Sequence, residues 1–169
     1  MVNSNKQTLT WWEIRDIQAQ DLEDVDRPEV VAVDKDEQVV LLAKVQGFPF
    51  NFQEPKAKKH ATLRLINFLQ AANDKIPYAM LVDLENILIF QWDGNNLSEP
   101  IICLNTADVL SHYEPEFRNK KIYSLYLTGL IEAWISDCCY HWKLTNPPAS
   151  REMSQIGLLQ QLEGGYTEP

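Results

Sequence analysis

Two polar side chains end the most apolar stretch of this chain. Lys44 and Gln46 follow the run Val39-Val-Leu-Leu-Ala43, whose β-branched and aliphatic residues predict a β-strand over 39–45. Because side chains alternate across a strand, Lys44 and Gln46 project from the same face. A cation and an amide side by side at the end of a mostly buried strand indicate either a site or the point where the strand emerges into water.

The only basic cluster of the sequence is Lys56-Ala-Lys-Lys-His60, at the predicted start of a helix. It is either a solvated helix start or, because a helix amino terminus carries partial positive charge, a place for phosphate contact. The segment Glu54-Pro-Lys56 spells Glu-x-Lys, but Pro55 cannot donate a hydrogen bond within a strand, so a loop is expected there.

Other catalytic patterns are absent from the sequence. The three histidines, at positions 60, 112 and 141, lack ligand spacing, and there is no GxSxG motif, P-loop or Cys/His pair. We expect the remaining clustered acids to solvate two strand turns: Asp34, Asp36, Glu37, Asp83 and Glu85.

The strand carrying Lys44 belongs to a predicted hairpin, in which Val30–Val33 is the first strand and residues 35–37 form the turn. Three phenylalanines follow in the loop Gly47-Phe-Pro-Phe-Asn-Phe52, either folded back over the core or exposed as a contact patch. Helical periodicity and turn residues predict the later elements: helices over 56–73, 106–111, 121–142 and 154–162, strands over 76–83 and 87–92, and an extended segment over 98–104. The apolar face expected for the helix over 121–142 consists of Leu125, Leu127, Leu130, Ile131, Trp134, Ile135 and Cys138.

At the amino terminus, Thr8 or Thr10 is expected to cap a helix that runs to about Gln20. Trp11 and Trp12 are adjacent and cannot share one helix face. We expect one to pack on the sheet and the other to cover an edge or a partner. An acidic connector over 21–26 then leads to the hairpin.

Size and charge limit the classes of function. The 169 residues carry 15 basic and 24 acidic side chains, a net charge of −9 that disfavours nucleic-acid binding. Three cysteines without CxxC spacing argue against a disulfide framework and a structural zinc site, and we expect all three to be buried. The sequence shows no signal peptide and no membrane span, so a cytoplasmic location is expected.

The order of helix, hairpin, helix, hairpin and further helices resembles the PD-(D/E)xK restriction-endonuclease-like superfamily. More closely, it is similar to proteins related to the nuclease-like N-terminal domain of type I restriction subunits. The resemblance covers about residues 11–142, and three segments carry it: Arg27-Pro-Glu-Val-Val-Ala-Val-Asp-Lys-Asp36; Val39-Val-Leu-Leu-Ala-Lys-Val-Gln-Gly47; and Ile76-Pro-Tyr-Ala-Met-Leu-Val-Asp83 with Asn86-Ile-Leu-Ile-Phe-Gln-Trp-Asp-Gly94.

That resemblance implies a metal-dependent nuclease site, from which this chain departs at three positions. Such families carry an Asp where this chain has Glu29, and a Glu-x-Lys pattern where it has Lys44 and Gln46. The two acids of the family hold a divalent cation, while the lysine positions the attacking water or stabilises the phosphorane. Here an ammonium replaces a metal ligand, so we expect Lys44 either to pair with Glu29 or to extend to solvent.

We therefore expect an α/β protein of the three-layer α/β/α restriction-endonuclease-like type, with a central mixed sheet of about four to five strands. The domain is predicted over 1–146, followed by a C-terminal extension over 147–169 with a short helix. The function expected is a nuclease-like binding or assembly module, inactive at Glu29, Lys44 and Gln46, with a protein partner or a second copy as ligand and no cofactor. The alternative is a Mg²⁺-dependent DNA endonuclease that uses Glu29, Gln46 and a further acid as metal ligands.

Overall fold

The computed structural model describes residues 28–72 and 75–169. The predicted N-terminal helix, its two tryptophans and the acidic connector over 21–26 lie outside the described residues. Within them, no helix has the length and apolar character that crossing a bilayer requires.

In this part of the chain, six strands form one mixed sheet in the spatial order β5-β4-β3-β2-β1-β6. Neighbouring strands are antiparallel except β2 and β3, which are parallel and are connected through helix α1. The strands are β1 Val30–Val33, β2 Val39–Val45, β3 Tyr78–Val82, β4 Asn86–Gln91, β5 Ile102–Asn105 and β6 Tyr166–Thr167.

The helices begin and end close to the predicted positions, where local signals fix their ends. Glu54 caps α1 by accepting a hydrogen bond from Ala57 N, and α3 ends at His141, which adopts the left-handed conformation. Gly157, at φ 83°, divides the tail into two helices where one was predicted. The helices are α1 Pro55–Ala71, α2 Thr106–Leu110, α3 Ser124–Tyr140, α4 Ser150–Gln155 and α5 Leu158–Leu162, with a 3-10 turn over Phe117–Asn119.

Helices cover both faces of the sheet, which confirms the predicted α/β class and its three layers. On one face, α3 packs with α5 against the odd-numbered side chains at the end of β2. On the other, α1 packs against Leu42 in β2 and Leu81 in β3. Lys44 and Gln46 lie in register with Leu42, so they face the α1 side of the sheet.

Two predictions about the sheet and the tail need correction. The sheet has six strands among the described residues, not four to five, because β6 pairs with β1. Residues 147–169, predicted as an extension with one short helix, also supply Met153, Leu158 and Leu162 to the main core. The tail therefore completes the sheet and its α3 side.

Two predicted core residues are exposed. Leu125 is 87% exposed, because α3 begins at Ser124 and this first-turn side chain lies away from the sheet. Cys103 is exposed on the edge strand β5, whereas Cys138 and Cys139 are buried in α3 as predicted. The other residues predicted for the apolar face of this helix are buried: Leu127, Leu130, Ile131, Trp134, Ile135 and Cys138.

Candidate functional site

The antiparallel pairing of β1 with β2 brings Glu29 and Lys44 together. Val30 lies opposite Ala43, and Glu29 N donates to Ala43 O at 2.9 Å just before β1 begins. Lys44 Nζ then lies 3.0 Å from Glu29 Oε2. Of the two alternatives for Lys44, pairing with Glu29 and extension to solvent, the structure shows the pairing.

The second carboxylate oxygen of Glu29 accepts a hydrogen bond from the last backbone N–H group of β2. Successive N–H groups of a strand point to opposite neighbours, and Gln46 N donates to Val82 O in β3 at 2.9 Å. The N–H of Val45 therefore points to the other side, beyond the start of β1. Glu29 Oε1 accepts it at 2.7 Å, so both carboxylate oxygens are engaged.

This ion pair lies largely out of water. Lys44 is only 4% exposed, while the Glu29 side chain retains 27% of its accessible surface. Burial raises the pKa of Glu29 above its usual value, and the opposing effects of the Lys44 ammonium and the Val45 N–H are smaller. The two charges thus stabilise each other at a substantial desolvation cost.

Lys44 and Gln46 form the floor of a pocket of about 200 Å³ between the sheet, the loop over 47–54 and the start of α1. Of the three loop phenylalanines, Phe52 is buried in the core, Phe48 is half-buried and Phe50 is 62% exposed. The loop therefore meets both expectations in part, because Phe52 folds back over the core and Phe50 is exposed. The pocket is lined by Lys44, Gln46, Phe50, Asn51, Phe52, Ala57, His60 and Ala61.

Hydrogen bonds at both ends hold the loop over 47–54 in place. Gly47 N donates to Ser124 Oγ at 2.8 Å, and Phe48 N donates to Ile122 O at 2.7 Å. A Cβ at Gly47 would lie 2.6 Å from backbone atoms at the start of α3, so the close approach requires glycine. At the other end, Phe52 N donates to Asp83 Oδ2 at 2.7 Å.

Asp83 has a structural role that the sequence did not reveal. It was expected to solvate a turn, but it is 2% exposed and also accepts hydrogen bonds from the backbone N–H groups of Glu85 and Asn86. Its position directly after a buried strand was the one available signal. A second depression, of about 380 Å³, lies on the Asp83 side of Phe52, and Lys58 and Asp83 both line it.

The other candidate residues lie apart from this site or act locally. Glu54 caps α1, so the second Glu-x-Lys pattern belongs to a helix start. Asp34 accepts hydrogen bonds from the N–H groups of Asp36 and Gln38 and so stabilises the β1–β2 turn. His141 contacts Glu163 at the far end of α3, away from Lys44.

The donor set at this position does not fit a divalent metal. Glu29 is the only carboxylate of the motif positions, and its oxygens are bonded to Lys44 and Val45. Magnesium requires several hard oxygen ligands, whereas an ammonium beside them repels the ion. Among residues 28–72 and 75–169, no three His, Cys, Asp or Glu side chains are grouped in a way that could hold a metal ion.

Comparison with known proteins adds no relative. No family model, no curated protein and no solved structure matches this chain. The resemblance to the restriction-endonuclease-like superfamily therefore stays a prediction from sequence motifs and element order. The arguments about function below rest on the chain's own residues and geometry.

Proposed function

We propose that this chain is a nuclease-like domain whose metal site is replaced by an ion pair, and that it acts in the cytoplasm as a binding or assembly module. The observation that carries the proposal is the 3.0 Å contact between Lys44 Nζ and Glu29 Oε2. In the family it resembles, a second acid would stand where Lys44 stands. In this chain the Lys44 ammonium supplies the positive charge that a bound metal ion would supply in that family.

The ion pair explains why one acid of the motif remains. A carboxylate in a partly buried position needs a compensating charge, and Lys44 supplies it without a metal. Glu29 also satisfies the N–H of Val45, which gives it a structural role independent of any catalysis. The pair is therefore consistent with a site that supports the sheet end and no longer performs hydrolysis.

The alternative, a Mg²⁺-dependent DNA endonuclease, requires a second acid beside Glu29. The described residues place Lys44, Gln46 and His60 around the pocket and no carboxylate in its lining. The net charge of −9 also opposes association with DNA phosphates. Both observations favour a protein partner or a second copy of the chain.

Exposed aromatic side chains on and beside the loop over 47–54 support a binding role. Phe50 belongs to the pocket wall, and Tyr123 lies just before α3, where the loop is anchored. The half-buried Phe48 ring meets the Tyr123 ring edge-on, with 5.7 Å between ring centroids. Such grouping of exposed apolar surface is typical of protein interaction sites.

Calorimetric titration with Mn²⁺ and Mg²⁺ tests the proposal. We expect no binding heat for the wild type or for Glu29→Ala, and no cleavage of plasmid DNA by either. The double variant Lys44→Glu with Gln46→Lys restores the acid-and-lysine pattern and is expected to gain metal binding. Lys44→Met is the matched control, because it removes the ammonium without adding a ligand.

Two results would contradict the proposal in different ways. Specific wild-type metal binding that is lost in Glu29→Ala, together with plasmid cleavage, would establish the endonuclease instead. A folded double variant without any metal binding would show that Glu29 and position 44 do not form the site architecture inferred from the family pattern. Circular dichroism establishes which variants are folded.

A further inference from the structure

Helix α1 carries a charge opposite to that of the whole molecule. It contains three lysines and an arginine and no acidic residue, in a chain whose net charge is −9. Lys56, Lys58 and Lys59 are exposed, and none has an acidic side chain within ion-pair distance among the described residues. Within residues 28–72 and 75–169, the start of α1 is therefore a local cationic surface.

The pocket over Lys44 opens beside these lysines. Ala57, His60 and Ala61 form its α1 wall, so at 100° per residue Lys56 and Lys58 flank that wall on opposite sides. Phe50 and Phe52 provide the other wall, and the charge of Lys44 on the floor is balanced by Glu29. The interior is apolar with a neutral floor, and the positive charge is at the rim.

Size limits what the pocket can hold. At about 200 Å³ it is below the range of about 300–1,000 Å³ that is usual for small-molecule and cofactor sites. It has room for one large apolar side chain. Its loop wall is fixed by hydrogen bonds from Gly47, Phe48 and Phe52, so little ordering is needed when such a side chain enters.

Resting on the proposed function as a binding module, we propose that this pocket docks an acidic peptide segment of a partner protein. One aromatic or large aliphatic side chain of the segment enters between Phe50 and Ala57, while acidic neighbours contact Lys56 and Lys58. The neighbouring depression is a poorer site for an acidic segment, because Asp83 contributes a carboxylate there.

A peptide fits these observations better than a nucleic acid. Strong binding to a duplex requires contacts with many phosphates, whereas this surface offers a few lysines on an acidic molecule. The one buried ammonium of the pocket is already paired with Glu29, so the floor provides no net charge for a phosphate. An apolar pocket with a cationic rim matches an apolar side chain with acidic flanks.

Fluorescence anisotropy with the full chain tests the proposal. The probe is a fluorescein-labelled peptide Asp-Glu-Phe-Glu-Asp, and the control peptides carry alanine in place of phenylalanine or lysines in place of the acids. We expect the probe to bind at least about tenfold more tightly than the alanine peptide, since burial of the ring contributes most of the affinity. The lysine peptide is expected not to bind.

Variants of the chain test the contributions of the pocket and of its cationic rim to peptide binding separately. Ala57→Leu fills the pocket and is expected to weaken probe binding by about tenfold or more. Lys56→Glu with Lys58→Glu is expected to weaken it and to reduce its salt dependence, while the added acids suit the start of a helix. Lys35→Glu is a single charge reversal at the opposite end of the hairpin and serves as the control for long-range charge effects, so binding is expected to change less than about twofold.

Equal binding of the phenylalanine and alanine peptides would overturn the docking site. So would equal effects of Lys35→Glu and of the double variant Lys56→Glu with Lys58→Glu. Tighter binding of a ten-nucleotide thymidine oligomer than of the peptide would assign the surface to single-stranded nucleic acid. Self-association that Ala57→Leu abolishes, without peptide binding, would assign it to a second copy. Metal titration and plasmid cleavage report separately on the proposed function, so failure of the peptide leaves the ion-pair argument intact.

Discussion

The two faces of the sheet differ in the size and continuity of the apolar core that covers them. On the α3 side, Leu127, Ile131 and Trp134 are fully buried within a large apolar cluster. On the α1 side, a smaller cluster ends at the ion pair and the pocket. The comparison indicates that the α3 side supplies most of the stability, while the α1 side retains the open pocket to which we assign a binding role.

A similar contrast holds between two carboxylates, Asp137 in α3 and Glu29 at the end of the β1–β2 pairing. Asp137, in α3, accepts hydrogen bonds from Tyr113 Oη at 2.7 Å and from two backbone N–H groups. Burial acts to raise its pKa, but these neutral donors outweigh that effect and the pKa is lowered. The pKa of Glu29 is raised despite its cationic partner. Hydrogen bonding therefore offsets burial more fully at Asp137 than at Glu29.

The largest loss of stability is expected from removing a buried side chain on the α3 side. Trp134→Ala removes a fully buried ring and its hydrogen bond from Nε1 to Pro148 O, and should lower the free energy of unfolding by about 4 kcal/mol. Leu125→Ala in the same helix is the control, with an expected change within about 0.5 kcal/mol. Urea denaturation measures both, and equal losses would contradict the comparison.

An intermediate effect is expected from breaking the ion pair on the α1 side. Glu29→Gln keeps an acceptor for Val45 N but leaves the buried ammonium of Lys44 without its carboxylate, and should cost about 2–3 kcal/mol. The loss is below that of a fully buried pair because Glu29 is partly exposed. Adding Lys44→Met to this variant is expected to recover most of it, as a double-mutant cycle would show. Additive losses would mean that the pair contributes no coupling.

The smallest effect is expected at the rim of the α3 side, as a pH dependence. Hydrogen bonds from Tyr126 and Lys120 to Glu114 lower its pKa from the ordinary 4.5 to about 2. A lowered pKa gives stability that is present above pH 4.5 and is lost as the pH falls towards 2. The melting temperature of Glu114→Gln should therefore depend less on pH across this window than that of the wild type. Parallel curves would contradict the shift.

Elements with a strong local pattern could be predicted from the sequence. The hairpin of β1 and β2, helix α1 and the pair β3 and β4 have alternating or helical periodicity over five or more residues, or end at clear turn signals. Strand β6 was missed because two residues contain no periodicity. It forms because Gly165 approaches Val33 so closely that a Cβ would lie 1.9 Å from its carbonyl oxygen.

The candidate site was predictable only in part. The family resemblance left two alternatives for Lys44, pairing with Glu29 or extension to solvent, and the structure shows the pairing. The pocket depends instead on the path of the loop over 47–54, which is fixed by distant groups such as Asp83 and Ser124. Helical periodicity likewise placed Leu125 in the core, because it does not show where along the helix the contact with the sheet begins.

The position of β6 has a consequence for how this protein behaves at high concentration. Strand β1 consists of valines and alanine only, and an open edge of that composition could pair with the same edge of another molecule. Strand β6 covers this edge with two residues, and Glu168 N extends the cover by donating to Val31 O at 2.8 Å. Among the described residues, this edge then ends in a strand of two residues, which is short for pairing with another molecule, so we expect removal of the tail to promote edge-to-edge association.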